Sequence, residues 1–228
     1  MISIIIPVYN EEKQLPALLE YLETASSFHI REILVVDGGS TDGTSRIASE
    51  HPKVTYHLSE KGRAVQMNFG AGKAIGELLY FLHADSFPPE NFDKLIMKAV
   101  ENGHDCGCFQ MRFDKNHWWL NLMGFFTKFN HLSCRGGDQS LFVTSKLFHR
   151  LQGFDESYTV YEDNEFIKRL YKHASFTVIK KWLTTSARLY DRMGVWKTQK
   201  LFLEIYWKRR FGATAEDLRS HYYKRVNS

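Results

Sequence analysis

LLYFLHAD, residues 78–85, is an apolar, aromatic-rich run that ends abruptly in a histidine, a small residue and a carboxylate. The run has the make-up of a buried strand, and polar groups follow where such a strand must reach the surface. Open α/β sheets present their ligand sites at the carboxyl ends of their strands. The stretch therefore marks both a core element and the rim of a site.

Upstream, the same pattern repeats. Residues 3–7 form a short apolar run, and residues 11–25 set Leu15, Leu18, Leu19 and Leu22 on one helical face. Residues 32–37 (EILVVD) read as a second strand, and residues 40–43 supply a turn and an N-cap for a helix through residue 48. A third strand at 54–57 and a third helix at 64–74 lead into LLYFLHAD, whose strand is expected over 78–83. Strands alternating with helices predict an α/β fold, a mostly parallel central sheet flanked by helices on both faces.

Downstream of Pro88 and Pro89 the alternation weakens. A helix is expected over 91–102, strands over 106–113, 141–144 and 175–179, and helices over 118–129 and 196–211. Gly136 and Gly137 mark a turn, Gly153 ends a short helix, and residues 163–171 read as a helix opened by acids. The chain divides into one α/β domain over 1–180 and a basic, aromatic C-terminal helical extension over 181–228 packed on the same domain.

With 228 residues, 43% hydrophobic and 25% charged, the chain has an ordinary globular composition. Its formal charge of +4 conceals an asymmetry: residues 1–167 carry 15 Lys and Arg against 22 Asp and Glu (−7), and residues 168–228 carry 15 against 4 (+11). A basic tail suits nucleic acid, anionic lipid or a phosphorylated substrate. No nucleic-acid-binding module accompanies the charge, which sets nucleic acid aside. Cys106, Cys108 and Cys134 are too few and wrongly spaced for a zinc ribbon or a disulfide framework, and suit buried thiols in a reducing compartment. Met1 leads straight into ISIIIPVYN with no basic n-region, and no apolar run approaches the roughly 20 residues of a membrane span. The expected location is cytoplasmic, with peripheral contact at the inner face of the membrane left open.

Carboxylates recur at strand ends: Asp37 after EILVV, Asp85 after YFLHA, and the pair Glu162 and Asp163 before a helix. Each alone reads as a helix cap or a turn residue. Converging on one rim, they line a cleft suited to a divalent cation and the phosphate oxygens it carries. Alternation along an extended segment would let His83 and Asp85 share that cation; an imidazole is better tolerated by Mn²⁺ than by Mg²⁺, and His83 reads equally as a histidine supporting the site from behind. Lys61, Arg63, Gln66 and Asn68 gather at the start of a helix, a place suited to phosphate, although Lys61 and Arg63 also read as a solvated pair. Arg188 is either a phosphate clamp or an exposed charge.

ISIIIPVYNEE, VVDGGSTDGT, GRAVQMNFGAGKAIGELLYFLHAD, GGDQSLFV, GFDE and YEDNEF, taken in order, resemble the family 2 glycosyltransferases of the GT-A fold. The resemblance runs from residue 2 to about residue 170. It implies an inverting, metal-dependent transferase that uses a nucleotide-diphospho-sugar, linked to UDP or GDP. Pro7, Tyr9 and Glu11 match the first-strand motif beside the base and ribose, and Asp37 the acid on the nucleobase. Asp85 matches the last acid of the metal-binding D-x-D, and Asp163, beside Glu162, the catalytic base. Gly136, Gly137, Asp138 and Gln139 resemble the acceptor-side segment. His83 departs from the usual first Asp and resembles a subset reading H-A-D.

The chemistry asks for the same roles. Charge developing on a departing nucleoside diphosphate must be neutralised, which a cation on Asp85 with Lys61 or Arg63 can do. The acceptor hydroxyl must lose a proton on the opposite side, a task for Asp163. Residues 118–129 and 196–210 combine aromatics with Lys and Arg, either as core packing or as an acceptor groove or membrane-surface patch for a lipid-linked acceptor. Two rivals remain. A nucleotidyltransferase would show a Gly-rich basic loop after the first strand, where PVYNEEKQ offers acids; a non-catalytic sugar-nucleotide-binding module would have no need of both Asp85 and Asp163.

Overall fold

The computed structural model describes residues 1–136 and 139–226. The chain opens with β1 (Ile2–Val8), α1 (Leu15–Ala25), β2 (Ile30–Asp37), α2 (Thr44–Glu50), β3 (Val54–Leu58), α3 (Arg63–Lys73) and β4 (Leu78–Phe81). These four strands are mutually parallel in the order β3-β2-β1-β4. Alternation along β1 feeds two cores. Ile2, Ile4, Ile6 and Val8 pack with Leu15, Leu18 and Leu19 of α1 on one face, while Ile5 meets Ala64, Met67 and Ala71 of α3 on the other.

The second half adds β5 (Ser86–Phe87), α4 (Phe92–Glu101), β6 (Cys106–Phe113), α5 (Trp118–Phe126), β7 (Leu141–Thr144), α6 (Ser145–Arg150), α7 (Glu162–His173) and β8 (Phe176–Thr185). The sheet has eight strands, and β7 enters antiparallel between β4 and β6, so four of the seven pairings are parallel. Strand β6 lies so close to its neighbours that a Cβ on Gly107 would stand 2.4 Å from the Thr177 carbonyl oxygen. Only glycine fits there. Cys106 and Cys108 on this strand are buried, and burial pushes the Cys106 thiol up to about 12.

Three expectations change. The strand of LLYFLHAD stops at Phe81, and the Ser86 amide donates to the His83 carbonyl at 3.1 Å, closing a turn over Ala84 and Asp85. Strand β8 runs six residues past Ile179, because a bulge absorbs the exposed Lys180 and Lys181: the partners of β6 jump from Ile179 to Trp182. Residue 180, where the α/β domain was expected to pass into its C-terminal extension, lies inside strand β8. Helix α5 ends at Phe126, where the Thr127 hydroxyl donates to the Gly124 carbonyl at 2.6 Å.

The tail comprises α8 (Arg188–Met193), α9 (Val195–Arg210) and α10 (Ala215–Val226). Leu201, Ile205 and Leu218 from α9 and α10 bury against Tyr158 of the body. Among the described residues no helix is long and apolar enough to cross a membrane.

Candidate active site

A cleft of about 1550 Å³ opens where the parallel strands end. Tyr9, Asn10 and Glu11 follow β1, His83 and Asp85 follow β4, and Arg188 follows β8. Lys61, Gly62 and Arg63 enter from the start of α3, and Tyr161 and Asp163 from the start of α7. Two of the flanking backbones are left-handed without being glycine, Asn10 at φ 56° and Tyr161 at φ 80°. Such conformations persist where surrounding structure over-determines them, and they cluster at functional sites.

Two arginines organise the acids. Arg188 donates from Nη1 and Nη2 to the two carboxylate oxygens of Glu11, at 2.6 and 2.5 Å, and its Nε stands 3.0 Å from Asp85 Oδ2. The Ser186 amide donates to the Asp85 carbonyl at 3.1 Å, and the Ser86 and Thr185 hydroxyls pair at 2.8 Å, so the two loops that carry Asp85 and Arg188 are tied together. Burial pushes the Asp85 carboxyl above the usual carboxylate range, with Arg188 opposing it. On the other side Arg63 pairs through Nε with Glu162 and approaches Asp163 Oδ2 at 3.6 Å. Glu162 is fully buried, and its Oε2 has no hydrogen-bond partner among the described residues. Each arginine was read either as a phosphate contact or as a solvated charge; here both pair with carboxylates.

Lys61, exposed at the cleft mouth, places its Nζ 3.6 Å from the centre of the Tyr9 ring, a cation–π contact. Pro7 lines the cleft beneath Tyr9. Asp37 is buried and lies off the cleft wall: its Oδ1 accepts from the Ser40 amide and hydroxyl at 2.8 and 2.7 Å, and its Oδ2 from the Tyr56 hydroxyl at 3.3 Å. Asn68 also stands outside the cleft. Its amide donates to the Phe154 carbonyl at 2.9 Å and to Glu156 at 2.8 Å while its oxygen accepts from the Phe154 amide at 2.9 Å, so it clasps α3 to the 154–156 loop. Gln66 is similarly consumed, donating to the Val8 and Val36 carbonyls at 2.7 and 2.8 Å.

Gly136 and Gln139 line the opposite wall with Met111, Met123, Phe126 and Arg135. Gly137 and Asp138 lie outside the described residues. Sequence reasoning missed Arg135 and Tyr161. The first sits directly before the glycine pair and the second directly before the Glu162–Asp163 pair, so adjacency to those motifs was the available signal.

For a divalent cation the donor set is partial. His83 and Asp85 face one cleft, yet among the described residues no group of three or more His, Cys, Asp and Glu converges. One carboxylate and one imidazole fit a cation whose other positions are filled by phosphate oxygens and water. Because the Ala84–Asp85 turn replaces the extended segment, strand alternation no longer supplies the reason for the two side chains to meet.

Residues 3–154, about two thirds of the chain, match the model of the family described as Glycosyl transferase family 2. An undecaprenyl-phosphate 4-deoxy-4-formamido-L-arabinose transferase of Klebsiella pneumoniae is 35% identical over 114 residues, 46% of this chain and 35% of that protein. A dolichol-phosphate mannosyltransferase of Pyrococcus furiosus is 36% identical over 110 residues, 46% of this chain and 31% of that protein. The match thus spans only about a third of these relatives' length. Among solved structures, S. aureus TarS 1-349 in complex with UDP superposes with a TM-score of 0.68 at 20% identity, covering 82% of this chain and 60% of that one. The mannosyltransferase PcManGT from Pyrobaculum calidifontis, in complex with GDP-Man and Mn²⁺, gives 0.67 at 17% identity, covering 99% and 68%. The shared architecture is the GT-A fold.

Proposed function

Because this chain belongs to glycosyltransferase family 2, we propose that it moves a sugar from a UDP- or GDP-linked donor onto a hydroxyl acceptor, with inversion and with help from a divalent cation. It stands with the members that read H-A-D. The observation that carries this reading is the placement of Asp85 and Asp163 in one cleft, each beside a different arginine. Two carboxylates with separate counter-charges take separate tasks, one toward the departing phosphate and one toward the incoming oxygen.

Asp85, with His83 beside it, would hold a Mn²⁺ or Mg²⁺ ion, which when bound supplies positive charge to the leaving diphosphate. Arg188 and Lys61 add cations on the same side. Tyr9 and Glu11 flank the base and ribose, and Asp37, through the turn it caps at Ser40, shapes the floor on which the base rests. Asp163 takes the acceptor proton as the oxygen attacks the anomeric carbon from the face opposite the diphosphate. Arg63 stands 3.6 Å from that carboxylate as its counter-charge, while Glu162 holds Arg63 in place.

The relatives' names concern undecaprenyl and dolichol phosphates, and a lipid-linked acceptor suits the surface of this chain. Trp118, Phe125, Phe129 and Trp196 are exposed on α5 and its flanks, and Trp207 and Phe211 extend the aromatics along the basic tail. Aromatics beside Lys and Arg suit a membrane interface. On this reading the enzyme works in the cytoplasm, with α9 and α10 of the basic extension against the inner face of the membrane and the α/β body as the catalytic domain.

The test is product release. With Mn²⁺, one of UDP-glucose, UDP-GlcNAc, UDP-galactose or GDP-mannose is expected to yield free nucleoside diphosphate slowly even without acceptor. Release of pyrophosphate from a nucleoside triphosphate plus a sugar phosphate would instead establish the nucleotidyltransferase alternative.

A further inference from the structure

The acceptor-side wall holds a buried positive charge that no acid among the described residues answers. Arg135 is 6% exposed, and its guanidinium is spent on neutral groups: Nη1 donates to Cys108 Sγ at 2.9 Å, and Nη2 to the carbonyls of Thr127 and Phe129 at 2.8 and 2.5 Å. Its Nε is buried without a hydrogen-bond partner among the described residues. Gln139, 5% exposed on the same wall, has neither its amide nitrogen nor its amide oxygen paired. Buried polar groups are ordinarily hydrogen-bonded and buried charges ordinarily paired, because desolvating them without a partner is costly, most of all for a charge.

These gaps contrast with the rest of the cleft, where Arg63 and Arg188 each meet two carboxylates. Neutral carbonyls satisfy the geometry of the Arg135 fork but do not balance its charge. An anion entering along Met123 and Phe126, which line the same cleft, would supply the missing partner, and a Gln amide beside it would donate one further hydrogen bond.

We propose that Arg135 and Gln139 form an acceptor-side subsite for a phosphate group carried by the acceptor, separate from the diphosphate site of the donor. This rests on the transferase reading and narrows its acceptor to a phosphorylated molecule. The phosphate can reach the wall on a lipid chain, which the apolar Met123 and Phe126 suit, or on a water-soluble ester. With Nη1 and Nη2 taken by neutral groups, Arg135 offers a phosphate its permanent charge and its unpartnered Nε donor.

Calorimetric titrations with the donor site first saturated by UDP or GDP and Mn²⁺ test the subsite. Saturation fills the diphosphate side at Lys61 and Arg188, and nucleotide binding in the same cell reports separately on the transferase reading. Farnesyl phosphate, farnesol, glycerol 3-phosphate and inorganic phosphate are the probes. Farnesyl phosphate is expected to bind at least about 10-fold more tightly than farnesol, a difference of about 1.4 kcal/mol. Tighter binding of glycerol 3-phosphate than of farnesyl phosphate would keep the phosphate subsite and assign it to a soluble ester. Gln139→Ala is expected to weaken the phosphate probe about 10-fold and Gln139→Glu, which sets a negative charge against it, further, with nucleotide affinity unchanged in both. Arg135→Lys is a third variant; should it fail to fold, the two Gln139 variants decide the matter alone. Equal affinity for farnesol and farnesyl phosphate with no binding of either soluble phosphate, or phosphate affinity indifferent to Gln139→Glu, overturns the proposal.

Discussion

Asp163→Asn is expected to lower turnover by about 10²–10⁴-fold, the usual contribution of a positioned general base, while leaving donor affinity within a few-fold of the natural enzyme. Asn keeps the shape of the side chain but cannot take a proton. The fold tolerates the change, because the Arg63–Glu162 contact on which the local geometry rests does not involve Asp163. Asp163 also opens α7, whose first turn carries Glu162, Asp163 and Glu165. Single-turnover kinetics separate the two quantities, since they read the chemical step apart from donor binding. Near-normal turnover in the variant would remove Asp163 from the role of base.

Asp85→Asn is expected to act on the other half of the reaction. A single carboxylate and an imidazole make a sparse protein contribution to a cation site, so losing the carboxylate leaves little to hold the ion. Even groups that only support metal ligands are worth about 10–100-fold in affinity, and the Mn²⁺-dependent part of nucleotide affinity is expected to fall by at least the upper end of that range. In the natural chain the incoming cation must compete with Arg188 for Asp85. In the variant Arg188 keeps its two contacts to Glu11, and the protein is expected to melt at nearly the natural temperature. The measurement is nucleotide affinity with and without Mn²⁺ in both proteins. Unchanged dependence on the ion in Asp85→Asn would place the cation elsewhere.

The parallel half of the fold is legible in the chain because β1, β2 and β4 each carry a run of buried apolar residues and α1 shows an apolar face. The GT-A architecture follows from that pattern together with the ordered motifs. What escaped reading has specific physical causes. Lys180 and Lys181 interrupt the apolar pattern of β8 but are carried on a bulge, so the strand continues where hydropathy says it stops. Helix α10 buries only Leu218 fully and shows no apolar stripe that sequence alone could announce. Asn68 and Gln66 carry the right chemistry at the right helix, yet their turn along the helix directs them into backbone clasps. Residue type and spacing showed that Arg63 and Arg188 belong to the rim. Their acidic partners lie 99 and 177 positions away in the chain, at Glu162 and Glu11, and only the closed fold brings them together.

The central claim is that the cleft at the strand ends binds a nucleoside diphosphate through a cation held at Asp85. Titration of the intact chain with UDP and with GDP, each with and without Mn²⁺, measures it directly. One of the two is expected to bind in the presence of Mn²⁺ and to lose most of its affinity when the ion is withdrawn. Absence of binding by both nucleotides with the ion present, or binding indifferent to its removal, would contradict it.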